Sequence, residues 1–415
     1  MDVKNARFME ALKASLENRK VTWEAPLSRQ EWMELFQLAK MHHVLPMIYE
    51  AVYACPAARL ADAGLLSAYR GQVMRAVQVQ IMKSSQFMQM LSHLDSAGVK
   101  PVVVKGIVCR DLYPVPDYRM SGDEDVLVPA EQFALCDKAL RVFGMVPVDV
   151  QADGERDYEV PYGKPGSPIY IELHKSLFPP ESEAYGDLNR FFEKLHERRT
   201  EVMIQGTPVP TMSPTDHLFY LICHAFKHFL HSGFGIRQVC DVILFANRYG
   251  SQVDWGYILD CCTEIHAEYF AAAMFEIGRK YLTFDPQQAG YPQQWKELDV
   301  DEAAMLEDLI EGGVYGGASM SRKHSSNMTL DAVSASKQGK EAQGSVLRML
   351  FPAARKIESK YPYLRKYPFL LPAAWVSRVI QYIMETRKIQ GNNAADSIRI
   401  GRERIDLMKR YRIIR

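Results

Sequence analysis

The chain has 415 residues, a length that predicts more than one structural unit. Of these residues 47% are apolar and 24% charged, a composition typical of globular proteins. Its 50 Lys and Arg residues balance 50 Asp and Glu residues, so the formal net charge is +0 and bulk binding of nucleic acid, which needs a basic excess, is not expected. The seven cysteines are scattered and form no CxxC pair, and neither a signal peptide's apolar run nor a membrane-length apolar segment is present. These features predict a cytoplasmic protein without a membrane span.

Residues 1–97 are predicted to form an N-terminal helical region. Ser28 and Glu31 have the spacing of a capping box and precede apolar residues at helical spacing. Residues 65–95 continue a helical pattern whose Met-rich stripe is typical of core packing.

Residues 98–212 are predicted to form an α+β core, because short β-branched runs and alternating patterns replace the helical period. A helix is predicted over residues 130–143. Strands are predicted at residues 102–104, 123–128, 145–150, 156–160 and 168–175. The fold class is therefore α+β, with a small mixed sheet between two helical regions.

Residues 213–415 are predicted to form a C-terminal helical region, which should pack against the N-terminal helices because neither region alone buries its apolar stripes. Residues 285–300 and 313–345 are rich in Gly, Gln, Ser and Pro and are predicted to be loops. The basic segment 397–415 favours a solvated amphipathic helix over a nucleic-acid or membrane contact. Helices are predicted at residues 214–231, 236–249, 255–262 and 267–281.

Two carboxylates mark one predicted strand. Asp123 and Asp125 are two residues apart, so their side chains project to the same face, where a hard cation such as Mg²⁺ would hold them together. Without metal they are expected to raise each other's pKa, so that Asp125→Asn leaves the metal-free protein at least as stable. Glu124 points to the opposite face and, if buried there, needs a basic partner or hydrogen bonds.

A second predicted strand supplies a third carboxylate. Its apolar residues Ile169, Ile171 and Leu173 face one way, whereas Glu172 and His174 face the other. Glu172 completes the carboxylate set of a two-metal phosphoryl-transfer site if this strand lies beside Asp123 and Asp125. The alternative is that Glu172 lies on a solvated face.

Four histidines at spacings of seven, four and three share one face of a predicted helix. His224 and His228 have the spacing of a zinc pair, but the segment between them lacks the glutamate of a metalloprotease motif. A packed polar face against a cleft is favoured, and a nucleotide or acceptor contact and a second metal site remain open. The four residues are His217, His224, His228 and His231.

Several ordered motifs resemble the uncharacterised bacterial nucleotidyltransferase family of the polymerase-beta-like superfamily. They span both the predicted α+β core and the helices that follow it, and the series is more specific than any one motif. The motifs are Val102-Val-Val-Lys-Gly106, Leu112-Tyr-Pro114, Arg119, Asp123-x-Asp125-x-Leu-Val128, Ile171-Glu-Leu-His174, Asp216-His-Leu218 with His224, His228, Arg237 and Asp241, and Phe351-Pro352 with Tyr361-Pro362 and Arg378.

The resemblance implies transfer of a nucleoside monophosphate from a nucleoside triphosphate with Mg²⁺ or Mn²⁺ to an unknown hydroxyl or phosphate acceptor, by a two-metal mechanism. The acceptor would be a small molecule or a protein. The implied catalytic metal ligands are Asp123, Asp125 and Glu172. The implied nucleotide-binding residues are Lys105, Gly106, Arg119 and His174.

Two features separate this sequence from the family's pattern. Lys105 and Gly106 stand where the superfamily usually has Gly-Ser, and Glu124 stands where an apolar residue is usual. Both favour an alternative, a catalytically degenerate scaffold of the same fold that binds nucleotide or protein. Arg119 has its own alternative, which is to anchor a loop. A hydrolase built on the histidine face has the least support.

Overall fold

The structure, a computed structural model, describes residues 1–148, 157–314, 320–339, 361–378 and 394–414, together with Ala354 and Ile357. It confirms the α+β class, because one seven-stranded mixed sheet lies between helices that precede and follow it in the chain. The predicted strand residues 149–150 and 156 lie outside the described residues.

Five helices precede the sheet. Ser28 accepts a hydrogen bond from the Glu31 amide and Glu31 returns one, so the predicted capping box is confirmed. The fifth helix has 34 residues and runs from this region to the sheet. The helices are α1 (Val3–Leu16), α2 (Arg29–Met41), α3 (Leu45–Val52), α4 (Pro56–Arg59) and α5 (Ala63–Ser96).

The sheet has the strand order β3-β4-β5-β2-β1-β7-β6, in which β1–β7 and β2–β5 are parallel pairs and the other pairs are antiparallel. Helices α6 (Gly106–Arg110) and α7 (Phe133–Val142) connect parts of it. The strands are β1 (Val102–Val104), β2 (Glu124–Leu127), β3 (Val146–Pro147), β4 (Glu159–Gly163), β5 (Tyr170–His174), β6 (Thr200–Ile204) and β7 (Thr207–Thr211).

The hairpin β6–β7 was not among the predicted strands. Its turn residues Gln205 and Gly206 have φ values of +49° and +78°, as a two-residue hairpin turn requires. A Gln-Gly pair between two runs rich in Thr and Val is a usable sequence signal for this turn. The prolines of β7 weaken that signal, because proline donates no ladder hydrogen bond.

The two faces of the sheet have different surroundings. Val103, Val126 and Ile171 pack in one apolar cluster with Phe87 of α5 and Leu140 of α7. The opposite face carries Asp125 of β2 and Glu172 and His174 of β5, and it lies beneath the helices that follow the sheet. The alternation predicted for residues 169–174 is therefore confirmed.

Helices also follow the sheet. The prediction of a loop over residues 313–345 is wrong for residues 320–337, which form a helix with a buried serine face. The helices are α8 (Pro214–His231), α9 (Ile236–Tyr249), α10 (Trp255–Glu264), α11 (Glu268–Tyr281), α12 (Gln293–Lys296), α13 (Glu302–Gly312), α14 (Met320–Lys337) and α15 (Ala394–Arg410). None of the described helices combines the length and apolarity needed to cross a bilayer.

The C-terminal end of α8 is capped by two buried arginines from distant helices. Arg404 of α15 donates to the carbonyl oxygens of Phe229 and His231, and Arg322 of α14 donates to that of Ser232 at 2.7 Å. The last carbonyl groups of a helix have no partner within the helix. The two arginines therefore fix α8 to the C-terminal helices.

The N-terminal and C-terminal helices share one core, as predicted. Phe8 of α1 and Phe270 of α11 belong to the same apolar cluster. His42, at the end of α2, lies 3.2 Å through its Nε2 from the carbonyl oxygen of Ile310 in α13. The division of the chain into units at residues 97 and 212 stays a prediction.

Candidate active site

Three polar side chains meet on the face of the sheet that α8 covers. Asp125 of β2 is the register partner of Glu172 on the parallel strand β5, so the two carboxylates are neighbours on one face. His174 lies two residues further along β5 on the same face. The candidate ligand atoms of Asp125, Glu172 and His174 all lie within 4.8 Å of one another.

Asp123 lies one residue before β2 and outside this compact group. It lines the same pocket as Asp125, and its charge contributes to the raised pKa of Glu172. The structure thus brings Asp123 to the pocket. That it shares metal ions with Asp125 and Glu172 stays a prediction.

Asp125 is held by two basic groups. Its Oδ2 lies 2.9 Å from the Lys105 ammonium and its Oδ1 lies 3.1 Å from Nε2 of His174. Although burial opposes ionisation, Lys105 and His174 together hold the pKa of Asp125 well below its ordinary value. The expectation that Asp123 raises the pKa of Asp125 is therefore wrong, because nearer positive charge outweighs the repulsion.

Glu172 has the opposite shift. Burial and the negative charges of Asp125, Asp123 and Glu159 raise its pKa to about 7. A carboxyl group with this pKa exchanges a proton readily near neutral pH, which is the property of a general base.

Lys105 and Gly106 form a tight turn between β1 and α6. Their φ values are +54° and +39°, and a Cβ atom on Gly106 would overlap Oε2 of Glu124. The Lys105 amide donates to Nε2 of His217 at 3.3 Å, and its ammonium lies 3.0 Å from Nε2 of His224. The turn therefore needs glycine at 106 and directs the lysine into the pocket.

Glu124 is buried on the far side of β2 and has the basic partner that the sequence required. It forms an ion pair with Arg110, which is also buried. It also accepts a hydrogen bond of 2.7 Å from the Ile107 amide and one of 3.2 Å from the Ser121 hydroxyl. Glu124 thus closes the Lys105–Gly106 turn and does not enter the pocket.

Arg119 lines the pocket and is also paired. Its guanidinium donates to both carboxylate oxygens of Asp241 in α9, at 2.7 and 2.6 Å, and the Tyr113 hydroxyl donates to the same group at 2.8 Å. This arrangement anchors the loop that leads to Asp123. Its function as a nucleotide contact stays a prediction.

The histidine face of α8 lies against the pocket and the Lys105 turn. Burial lowers the pKa of His217 to about 3, and burial with nearby positive charge lowers those of His224 and His228 well below the ordinary value. His217 is therefore neutral, and it accepts from Lys105 while its Nδ1 contacts Thr211 at 3.3 Å. Within the described part of the chain these histidines belong to no group with metal-ligand geometry.

The pocket is lined by both acidic and basic side chains, and two of each are paired with one another. Arg237 and Gln238 line the pocket and Glu159 neighbours His174, and none of the three was predicted as a site residue. Arg237 belongs to the helical motif that carries the family resemblance, which was a usable signal. The lining includes Lys105, Gly106, Arg119, Ser121, Asp123, Asp125, His224, Arg237, Gln238 and Asp241.

One family model, described as "Uncharacterised nucleotidyltransferase", matches residues 28–283. This range contains every described strand and helices α2 to α11, and hence all residues of the pocket. No curated protein and no solved structure matches the chain significantly.

Proposed function

The chain belongs to the uncharacterised nucleotidyltransferase family, and from this premise we propose that it transfers a nucleoside monophosphate from a nucleoside triphosphate to an acceptor hydroxyl or phosphate. One observation carries the proposal. Asp125 and Glu172 lie side by side on parallel strands, and Asp125 lines a pocket that also contains Lys105. Such a pocket suits a substrate that brings both phosphate charge and a divalent cation. The acceptor is a small molecule or a protein.

The residues present fit a divalent metal, because two carboxylates and an imidazole converge within 4.8 Å. In the proposed reaction Asp123, Asp125 and Glu172 hold two Mg²⁺ or Mn²⁺ ions. Bound there, such ions would neutralise phosphate charge and activate the attacking oxygen.

The chain's own side chains supply the other functions. Glu172, which lies beside Asp125, accepts the proton of the acceptor hydroxyl. When the nucleotide binds, the Lys105 ammonium leaves Asp125 and pairs with a phosphate oxygen, for which it acts as a point charge. We assign Arg119 to holding the loop before Asp123, since its guanidinium already makes two hydrogen bonds to Asp241.

The scaffold alternative loses one of its two arguments. Glu124 has a complete set of partners outside the pocket, so its charge is not evidence against a metal beside Asp125. The replacement of Gly-Ser by Lys-Gly remains in its favour.

The test is incubation of the protein with each labelled nucleoside triphosphate and Mg²⁺ or Mn²⁺, with and without cell lysate. We expect transfer of label and a rise in melting temperature with one or more nucleotides, and loss of both in Asp123→Asn. Glu131→Gln, at an exposed position, is the matched control. Absence of any thermal shift and any transfer in wild-type protein would leave the scaffold function.

We also propose a cytoplasmic location. All seven cysteines are free and buried, as expected for a protein kept in a reducing compartment. Recovery of the protein in an oxidising compartment on cell fractionation would contradict this.

A further inference from the structure

The environment of His174 supports an inference about which metal the site takes. Its side chain is 6% exposed, and its Nε2 lies 3.1 Å from Oδ1 of Asp125 and 3.8 Å from Oε2 of Glu172. A buried imidazole therefore points one nitrogen at the place where the two carboxylates meet. The family resemblance makes this residue a nucleotide contact, and its position does not require that.

The carboxylate of Glu159 lies near Nδ1, the other ring nitrogen of His174. Glu159 of β4 is the register partner of His174, and its Oε2 lies 3.5 Å from Nδ1. Among the described residues Nδ1 of His174 is buried without a hydrogen-bond partner. Histidines that bind metals through one nitrogen usually donate the other N–H to a carboxylate, which fixes the tautomer and the ring orientation.

We propose that His174 binds a divalent metal ion through Nε2 together with Asp125 and Glu172, that Glu159 positions its ring, and that the site prefers Mn²⁺ to Mg²⁺. Metal binding at Nε2 needs the lone pair of that nitrogen, so the N–H of the ring is then at Nδ1, where Glu159 can accept its hydrogen bond.

The metal preference follows from the donor set. Mg²⁺ in proteins takes oxygen ligands at near-ideal octahedral geometry and keeps several waters. An imidazole nitrogen is a softer ligand, which first-row transition ions accept more readily. A set of two carboxylates and one imidazole therefore binds Mn²⁺ better than a set of three carboxylates would, relative to Mg²⁺.

The experiment measures metal binding to the full chain in the absence of nucleotide. Free Mn²⁺ is followed by electron paramagnetic resonance, and Mg²⁺ is added as a competitor. We expect wild-type protein to bind Mn²⁺ at least about tenfold more tightly than Mg²⁺. In His174→Asn the Mn²⁺ affinity should fall about 10–100-fold while Mg²⁺ affinity changes little, so the preference disappears.

Two further variants separate ligation from general effects. Glu159→Gln keeps all three ligands and should lower Mn²⁺ affinity about tenfold with a smaller loss for Mg²⁺. An equal loss for both ions would show a charge effect only and overturn the positioning function. His266→Asn, at an exposed histidine, is the control for His174. Circular dichroism of each variant checks that the fold is retained.

This inference deepens the proposed function and fails separately from it. An unchanged Mn²⁺ to Mg²⁺ affinity ratio in His174→Asn, or no preference in wild-type protein, overturns it even if label transfer occurs. A clear Mn²⁺ preference without any nucleotide binding supports the metal site and contradicts nucleotidyl transfer.

Discussion

Asp125 and Glu172 are neighbours across two parallel strands, yet their pKa values move in opposite directions. The difference lies in their partners. Lys105 and His174 contact Asp125, whereas burial and three carboxylates dominate at Glu172. A cluster of like charges thus divides into one firmly ionised carboxylate and one that titrates near neutral pH.

The first prediction concerns the Asp125–Lys105 pair. Asp125→Asn leaves a mostly buried ammonium beside a neutral amide, and breaking a buried ion pair from one side costs about 3 kcal/mol. We expect that loss in the free energy of unfolding of the metal-free protein, measured by urea denaturation at pH 7 with a chelator. The sequence had predicted no loss, and an unchanged midpoint would restore that prediction.

Glu172→Gln should act the other way. The folded-state pKa of about 7 exceeds the ordinary value of 4.5, so the fold favours the protonated form, and wild-type stability falls as the pH rises from 4.5 to 7. The neutral amide removes this loss. We expect the free energy of unfolding of metal-free Glu172→Gln to exceed that of wild type by on the order of 1–3 kcal/mol at pH 8, and by almost nothing at pH 4.5. A difference independent of pH would contradict the assignment.

The turn between β1 and α6 leaves no space for even one added carbon atom at Gly106. Gly106→Ala introduces a Cβ that overlaps the Glu124 carboxylate and so displaces the partner of Arg110 and Ile107. We expect a loss of roughly 3–5 kcal/mol in the free energy of unfolding, because a buried ion pair is disturbed in addition to the backbone strain.

Gly98 provides the matched control for that prediction. It also has a positive φ, +79°, but no atom lies within 4 Å of its would-be Cβ. Gly98→Ala should therefore cost only the backbone term, about 1–2 kcal/mol. Equal losses in the two variants, measured by thermal unfolding, would mean that the Glu124 contact contributes nothing.

The sequence was sufficient for elements whose pattern is local. The run Val102-Val-Val and the alternation of residues 169–174 predicted β1 and β5, and α8 and α9 begin and end where their apolar period predicted. Helix α14 was missed because serine and threonine usually favour turns. There Ser325, Ser326 and Thr329 donate to carbonyl oxygens three residues earlier, and α15 packs against the helix.

The site was predictable in its residues and not in its pairings. The spacing of the carboxylates identified Asp123, Asp125 and Glu172 as site residues. A buried Glu124 was expected to need a basic partner or hydrogen bonds. The partners of Asp125 and His174 depend on the register of β2, β4 and β5 and on where α8 crosses the sheet. Such long-range contacts leave no periodic trace in one sequence.

At the scale of the whole molecule, the two helical regions meet at His42. Burial lowers its pKa to about 4, and its Nε2 lies 3.2 Å from the Ile310 carbonyl of α13. Between pH 6.5 and 4, His42 is protonated in the unfolded chain but not in the folded protein. The free energy of unfolding therefore decreases as the pH falls through this range. Burial lowers the pKa values of His217, His224 and His228 in the same direction.

The corresponding prediction is that His42→Gln makes the protein less sensitive to acid. The amide can still donate to Ile310 but binds no proton, so the loss of unfolding free energy below pH 6.5 should be smaller by about 1.4 kcal/mol per pH unit, down to pH 4. Urea denaturation at pH 7.5, 6 and 5 measures this slope. An unchanged slope would show that His42 is not a source of the acid sensitivity, and His266→Asn is the control.

The arginine cap on α8 also determines when, during synthesis of the chain, the end of that helix can reach its final contacts. Arg404 follows Phe229, whose carbonyl it binds, by 175 residues. At translation rates of about 5–20 residues per second, the helix that carries the histidine face leaves the ribosome roughly 10–35 s before its cap. Throughout that interval water must take the place of the guanidinium, so the C-terminal end of α8 gains its final contacts only after α15 has been synthesised.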